Sequence, residues 1–291
     1  MILLNPSFLS VLTLYSIMLC LWVPTFKRII PFLSILFISL VLYAHHWTLL
    51  TLLSMGLYFS IFYIYRSVFN PLYKGVFFVL FFIMTILILL QLLPGDSHWT
   101  PFPPISFNTD SISYQLGYSF TTPLIGLCIL LFGFPLIDSF SKWRQCIQQI
   151  LPTLLMTIVS LILFSFLLGY IRFDFKTPSL LWLWIPHNLL FTCVTEEAFF
   201  RGFIQNQLYQ CFSPEKKLGH FFSIFFAALL FGIAHFQGGV LYIFLATIAG
   251  LFYGFIYYKT NKIEAAILVH FFLNLTHFIF FSYPALSSAI P

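Results

Sequence analysis

The sequence predicts an all-α polytopic membrane protein with about ten transmembrane helices. Apolar residues make up 60% of the 291 residues and charged residues only 7%, whereas soluble domains carry about 25% charged residues. Apolar segments long enough to cross a bilayer recur along the whole chain. The strongly polar side chains that interrupt such segments are concentrated in the last third of the chain.

Ten segments are candidates for spanning helices, because a spanning helix needs about 20 mostly apolar residues. The second segment is short and is compatible with a re-entrant or interfacial helix. The first has no Lys or Arg before it and no cleavage-site pattern after it, so we expect it to remain as a transmembrane helix. The segments lie near residues 6–26, 29–44, 47–65, 74–93, 119–137, 150–170, 180–211, 220–236, 240–258 and 264–283.

The distribution of basic residues predicts an orientation. With ten helices, most of the thirteen Lys and Arg residues fall on one side of the membrane. The positive-inside rule makes that side cytoplasmic, so both termini are predicted to face outward. We expect a cell membrane, and the compact loops favour a bacterial inner membrane. The residues on the crowded side are Lys27, Arg28, Arg66, Lys74, Lys142, Arg144, Lys216, Lys217, Lys259 and Lys262.

Composition also excludes several classes of protein. Disorder requires low hydrophobicity and high charge, and this chain has the opposite balance. We expect no nucleic-acid partner, since no basic run with interleaved aromatic residues occurs. The five cysteines lack a C-x-x-C spacing and are interpreted as small apolar fillers. Membrane lipid is the one partner that composition itself predicts.

Glu196, Glu197 and Arg201 stand together in one apolar segment. Charged groups at such depth cost roughly 2.5–3.5 kcal/mol each on insertion scales, so they usually line a cavity and have a function. Glu197 and Arg201 are four residues apart and can pair on one helix face. Glu196 points about 100° away and is left less neutralised, as a general base requires. The alternative is a buried charge network that only fixes helix packing.

Two further apolar segments carry histidines. His270 and Asn274 are four residues apart on one helix face, and both side chains can donate hydrogen bonds. Two donors aimed at one point can stabilise a tetrahedral oxyanion, although an interhelical polar clamp would use the same pair. His235 precedes a Gly-Gly pair that permits a helix break. We interpret Asn188 and His277 as interfacial or packing residues.

The order E-E-x-x-x-R, F-x-x-x-H and H-x-x-x-N, each in its own apolar segment, resembles the CAAX-prenyl-endopeptidase and bacteriocin-processing (CPBP) family of intramembrane proteases. This family includes the type II CAAX proteases and the lysostaphin-resistance-like proteins. The resemblance covers about residues 150–285. It implies a protease core in residues 150–291 with a catalytic cavity among the C-terminal helices. Residues 1–149 would hold transmembrane helices to which the resemblance assigns no role.

The resemblance also implies a mechanism. Water would be activated between Glu196 and His235, and His270 and Asn274 would donate hydrogen bonds to the oxyanion. The carboxylate–guanidinium pair of the first motif would support these catalytic groups. The expected substrate is a peptide or membrane protein, with or without a lipid modification, and no cofactor or metal is expected.

Three alternatives stay open on the sequence alone. Glu196, His235 and His270 are acceptable zinc ligands, although no H-E-x-x-H helix accompanies them. A proton-coupled transporter also uses buried Glu, His and Arg, but the sequence shows no internal repeat. A non-catalytic immunity or scaffold protein would keep the fold of the family without its activity.

Overall fold

The computed structural model of this chain describes residues 5–212 and 217–289. The chain is 74% helical, and no strand occurs among the described residues. Isolated β-bridges join some of the connecting segments, for example between Ile105 and Tyr114. The predicted all-α fold is therefore confirmed.

One compact unit comprises residues 5–101 and 117–138. Its helices often begin where a capping side chain precedes a proline. Asn5 accepts a hydrogen bond from the backbone N–H of Ser7 at 2.8 Å, and Asn70 accepts one from Leu72 at 3.0 Å. Its five helices are α1 (Pro6–Cys20), α2 (Ile30–Tyr43), α3 (Leu49–Ser67), α4 (Pro71–Leu89) and α5 (Thr122–Gly133).

The second compact unit comprises residues 102–116 and the described residues from 139 onward. It contains five helices, which we number α6 to α10. Helix α7 is irregular, because the π-helical stretches His187–Cys193 and Ala198–Gln205 interrupt its α-helical turns. The helices are α6 (Phe140–Leu167), α7 (residues 181–211), α8 (Lys217–Ala234), α9 (Gly239–Thr260) and α10 (Ile263–Phe280).

The described part of the chain has a helix at each of the ten predicted segments. Six helices among the described residues are long and apolar enough to cross a membrane, which supports a multi-pass membrane protein. The count of ten spanning helices, the orientation and the bacterial membrane stay predictions. The functional division at residue 150 also stays a prediction. Lys216, one of the basic residues used for the orientation, lies outside the described residues. The six spans are Pro24–Tyr43, Leu49–Ser67, Pro71–Leu89, Phe140–Leu167, Phe236–Thr260 and Ile263–Phe280.

Two glycines on α9 let neighbouring helices approach closely. A Cβ atom on Gly250 would lie 3.0 Å from the Cα of Ala228 on α8. A Cβ atom on Gly254 would lie 2.8 Å from Oε1 of Gln205 on α7. Small residues four apart are a common means of close helix packing in membranes. The two glycines thus set the spacing of the helices that carry the polar motifs.

The connection between α8 and α9 is the break that the Gly-Gly pair predicts. Helix α8 ends at Ala234, and the short 3-10 turn Phe236–Gly238 follows. Gly239 then takes a φ of 80°, a left-handed conformation that favours glycine. This break leaves His235 between the end of α8 and the 3-10 turn.

Candidate active site

The pair of Glu197 and Arg201 is buried in the centre of the second unit. Both side chains are 0% exposed, and Arg201 Nε lies 3.1 Å from Glu197 Oε2. Arg201 Nη2 also donates to the carbonyl of Gly250 at 3.1 Å. Its guanidinium carbon lies 4.6 Å from the ring centre of Phe231 and 5.3 Å from that of Tyr253. Ion pairing and cation–π contacts together offset the desolvation of this cation.

The second oxygen of Glu197 holds His270. Glu197 Oε1 lies 2.8 Å from His270 Nδ1. Because Glu197 is paired with a cation and can only accept, the imidazole nitrogen is the donor. The ring of His270 also stacks on Tyr253, with ring centres 4.6 Å apart. These two contacts fix the ring of His270 and leave its Nε2 atom directed toward Glu196.

Glu196 lies between two imidazoles. Its Oε2 atom is 3.8 Å from His235 Nε2 and 4.0 Å from His270 Nε2. These distances exceed a direct hydrogen bond. The Glu196 side chain is 24% exposed, in contrast to that of Glu197. The two adjacent carboxylates therefore face different surroundings, as their 100° separation predicts.

His235 has a defined tautomer. Its Nδ1 atom lies 2.7 Å from the carbonyl oxygen of Phe231, one turn earlier on α8. A carbonyl only accepts hydrogen bonds, so Nδ1 carries the proton. In the neutral ring, Nε2 is then an acceptor, and this is the atom that faces Glu196.

Asn274 lies one helical turn after His270 but has different polar partners. Its Nδ2 atom donates to Asn188 Oδ1 at 3.4 Å and lies 3.9 Å from Cys193 Sγ. The structure thus brings Glu196 together with both predicted histidines. It places Asn274 beside them on the same helix as His270, with its amide engaged by α7.

His235, His270 and Asn274 line one cavity of about 80 Å³. A site for a single water needs roughly 10–15 Å³ on this scale, so the cavity accommodates several waters. Among the described residues, Glu196 is not part of the cavity wall and reaches the imidazoles from α7. Other polar side chains in the wall are Ser165, Tyr170, Tyr242, Tyr253 and His277.

Sequence reasoning missed several of these residues. Asn188 is buried and bonded to Asn274, so our interpretation of it as a residue of interface or packing was incomplete. His277 lines the cavity, and its Nε2 atom donates to the carbonyl of Ser282 at 3.1 Å. Tyr242 packs edge-on against His235, with ring centres 5.2 Å apart. No spacing in the sequence signals these contacts, because each depends on how separate helices meet.

A metal site was an open alternative. Within residues 5–212 and 217–289, no group of three or more His, Cys, Asp or Glu side chains is arranged to hold a metal ion. The expectation of a metal-free, cofactor-free site remains a prediction.

Fold and site together define a helical membrane protein in which a partly exposed carboxylate lies close to two imidazoles that line a small cavity. The family model "Type II CAAX prenyl endopeptidase Rce1-like" matches residues 177–276, which include all six predicted site residues. The match supports the resemblance to the CPBP family that the sequence motifs indicate. The match supports a CAAX-type protease at the level of the family. No curated protein and no solved structure matches the chain.

Proposed function

We propose that this protein is an intramembrane endopeptidase in which Glu196 and His235 activate the water that attacks the peptide bond. The main support is the approach of Glu196 Oε2 to two Nε2 atoms, at 3.8 and 4.0 Å. A water that makes hydrogen bonds of about 2.8 Å can bridge atoms up to about 5.6 Å apart. One water can therefore bridge the carboxylate and either imidazole.

The tautomer of His235 suits this role. The Nδ1–H of His235 makes a hydrogen bond to the carbonyl of Phe231. Neutral His235 therefore offers Nε2 as a hydrogen-bond acceptor for one proton of the water. The carboxylate of Glu196 accepts the other proton. The water oxygen then has a lone pair available for the carbonyl carbon of the substrate. General-base catalysis of this kind contributes about 10²–10⁴-fold.

The reaction is balanced by one proton transfer in each direction. Water oxygen forms a bond to the carbonyl carbon while Glu196 takes the proton. The C–N bond then breaks, and Glu196 returns that proton to the leaving amine. The products are a carboxylic acid and an amine, and no redox partner is required.

His270 and Asn274 are proposed as donors to the oxyanion. His270 already donates from Nδ1 to Glu197, so donation from Nε2 requires a second proton on the ring. The amide of Asn274 donates to Asn188 Oδ1 at 3.4 Å and to Cys193 Sγ at 3.9 Å, so an N–H group reaches the oxyanion by leaving the longer contact with the thiol.

The substrate we propose is a peptide or membrane protein that reaches the cavity from the bilayer. Rce1-like proteases act on prenylated peptides or proteins in membranes, and a lipid-modified substrate is the class to test first. We expect no nucleic-acid partner. The matched family favours the protease over the transporter. A non-catalytic member of the same family would match equally well, and a cleavage test separates the two.

The test is comparative terminal proteomics of membranes that contain wild-type protein or the Glu196→Gln variant. We expect new C-termini in the wild-type sample that are lost in the variant. Glu264→Gln is a matched control, because Glu264 is a buried carboxylate at the start of α10, outside the Glu196 cluster. Identical sets of termini for wild type and Glu196→Gln would overturn the proposal.

A further inference from the structure

A second polar cluster adjoins the cavity, and two of its three members, Asn188 and Cys193, have no part in the mechanism described so far. It consists of Asn188, Cys193 and Asn274. Asn274 Nδ2 donates to Asn188 Oδ1 at 3.4 Å, and Cys193 Sγ donates to the same oxygen at 3.4 Å. Asn188 and Cys193 are both buried on α7. A buried amide in such surroundings is costly unless it is hydrogen-bonded, so its partners determine its orientation.

The backbone of α7 makes the contact between Asn188 and Cys193 possible. The two residues are five apart, which in a regular α-helix places side chains about 140° apart. Here the stretch His187–Cys193 is π-helical, with i to i+5 hydrogen bonding, and the side chains meet. π-helical turns are rare and frequently mark functional sites. The irregular turn therefore has a specific result, which is to present Asn188 to Asn274.

We propose that Asn188 is a positioning residue, which orients the amide of Asn274 so that an N–H group faces the cavity. This inference rests on the proposed function, in which Asn274 donates to the oxyanion. If the side-chain amide of Asn274 were rotated by about 180°, its oxygen would face the cavity instead and would repel the developing negative charge. Asn188 Oδ1 prevents this, because it accepts and therefore selects the N–H side of Asn274.

Cys193 completes the arrangement. Without a further contact, the side-chain amide of Asn188 could also rotate by about 180° and present its N–H groups to Asn274. The thiol donates to Asn188 Oδ1, so the oxygen of Asn188 is held on the side that faces Asn274. The three side chains thus form a chain of hydrogen bonds in which each orientation fixes the next.

The test is a double-mutant cycle in proteoliposomes, with cleavage of an internally quenched, farnesylated CAAX peptide as the assay. We expect Asn188→Leu to lower kcat about 10- to 100-fold with KM within about threefold, since loss of a whole oxyanion donor costs about 10²–10³-fold. In the Asn274→Ala background, the same change should lower kcat less than about twofold. An equal loss in both backgrounds would mean a purely structural role and would overturn the inference.

Conservative variants provide the control. Asn188→Asp keeps an acceptor oxygen at this position, and Cys193→Ser keeps a donor, so both should retain kcat within about fivefold of wild type. If Asn188→Leu does not fold, Asn188→Ala and Cys193→Ala replace it in the same cycle. Loss of activity in Asn188→Asp equal to that in the non-polar variant would count against positioning.

The outcomes separate this inference from the proposed function. Full activity of Asn274→Ala would overturn the oxyanion role of Asn274 and the positioning of its amide with it. A 10²- to 10³-fold loss in Asn274→Ala, with full activity in Asn188→Leu, would overturn the positioning alone.

Discussion

Glu197 Oε1 accepts a hydrogen bond from His270 Nδ1 at 2.8 Å, which joins α7 to α10 inside the second unit. The same carboxylate pairs with Arg201 through its other oxygen. Glu197 therefore has two structural partners, whereas its neighbour Glu196 faces two imidazoles without a direct hydrogen bond. The adjacent carboxylates thus differ in their expected contributions to stability and catalysis.

We expect Glu197→Gln to destabilise the protein by about 3–5 kcal/mol, because it leaves the buried guanidinium of Arg201 without its counter-ion. The measurement is thermal unfolding in a mild detergent. The double variant Glu197→Gln/Arg201→Met should lose less stability than the sum of the two single variants, since no unpaired charge remains. If the losses of stability in the two single variants add up in the double variant, the interaction between Glu197 and Arg201 does not account for the predicted destabilisation.

Glu196→Gln should lower activity strongly and change stability little, in contrast to Glu197→Gln. Glu196 is partly exposed and shares no hydrogen bond shorter than 3.5 Å with either histidine, so the amide should change stability by only about 0.5 kcal/mol. Activity should fall at least about 10²-fold, because the amide cannot accept the water proton. Peptide cleavage and thermal unfolding on the same preparation test both statements. A variant that unfolds without losing specific activity would contradict the assignment.

Part of this site could be predicted from the sequence, because spacing within one helix fixes relative direction. The pairing of Glu197 with Arg201 and the separate direction of Glu196 follow from four- and one-residue separations on a helix. The helix break after His235 follows from two consecutive glycines. These features depend on local geometry alone.

Other features could not be predicted, because they depend on how helices meet or depart from regularity. His235 directly follows α8, whereas His270 lies within α10, and upright helices of these lengths would place them at different depths. The structure nevertheless brings both within 4.0 Å of one oxygen. The contact of Asn188 with Cys193 depends on a π-helical turn that the 3.6-residue period does not indicate.

Gly250→Ala should destabilise the protein by about 1–3 kcal/mol, the usual cost of overpacking. Its new Cβ atom would lie 3.0 Å from the Cα of Ala228, so the backbones of α8 and α9 must separate. Gly75→Ala on α4 is the matched control, because its Cβ would meet nothing within 4 Å. Gly250→Ala should unfold at a clearly lower temperature than Gly75→Ala. Equal stability would mean that the close contact of α8 with α9 is not required.

Asp110, which lies outside the spanning segments, should make the stability of the protein depend on pH. The hydroxyl of Thr109 and then the guanidinium of Arg172 lower the pKa of Asp110 below its ordinary value of 3.8. A carboxyl with a lowered pKa stabilises the fold above its ordinary pKa, and this contribution is lost as pH falls through the folded-state value. Asp110→Asn should therefore melt below wild type at neutral pH, and the difference should shrink below about pH 3.8. A difference that is constant from pH 7 to the acid limit would contradict this account.

Chelators should leave peptide cleavage unchanged. In the proposed mechanism the carboxylate of Glu196 and the imidazole of His235 activate the water, and no step requires a Lewis acid. Their 3.8 Å separation suits a bridging water held by two acceptors. The measurement is cleavage of the quenched CAAX peptide before and after treatment with 1,10-phenanthroline, together with metal analysis of the purified protein. Loss of activity that returns with added Zn²⁺, accompanied by about one equivalent of bound zinc, would favour the metal-dependent alternative, in which Glu196 and both histidines act as ligands.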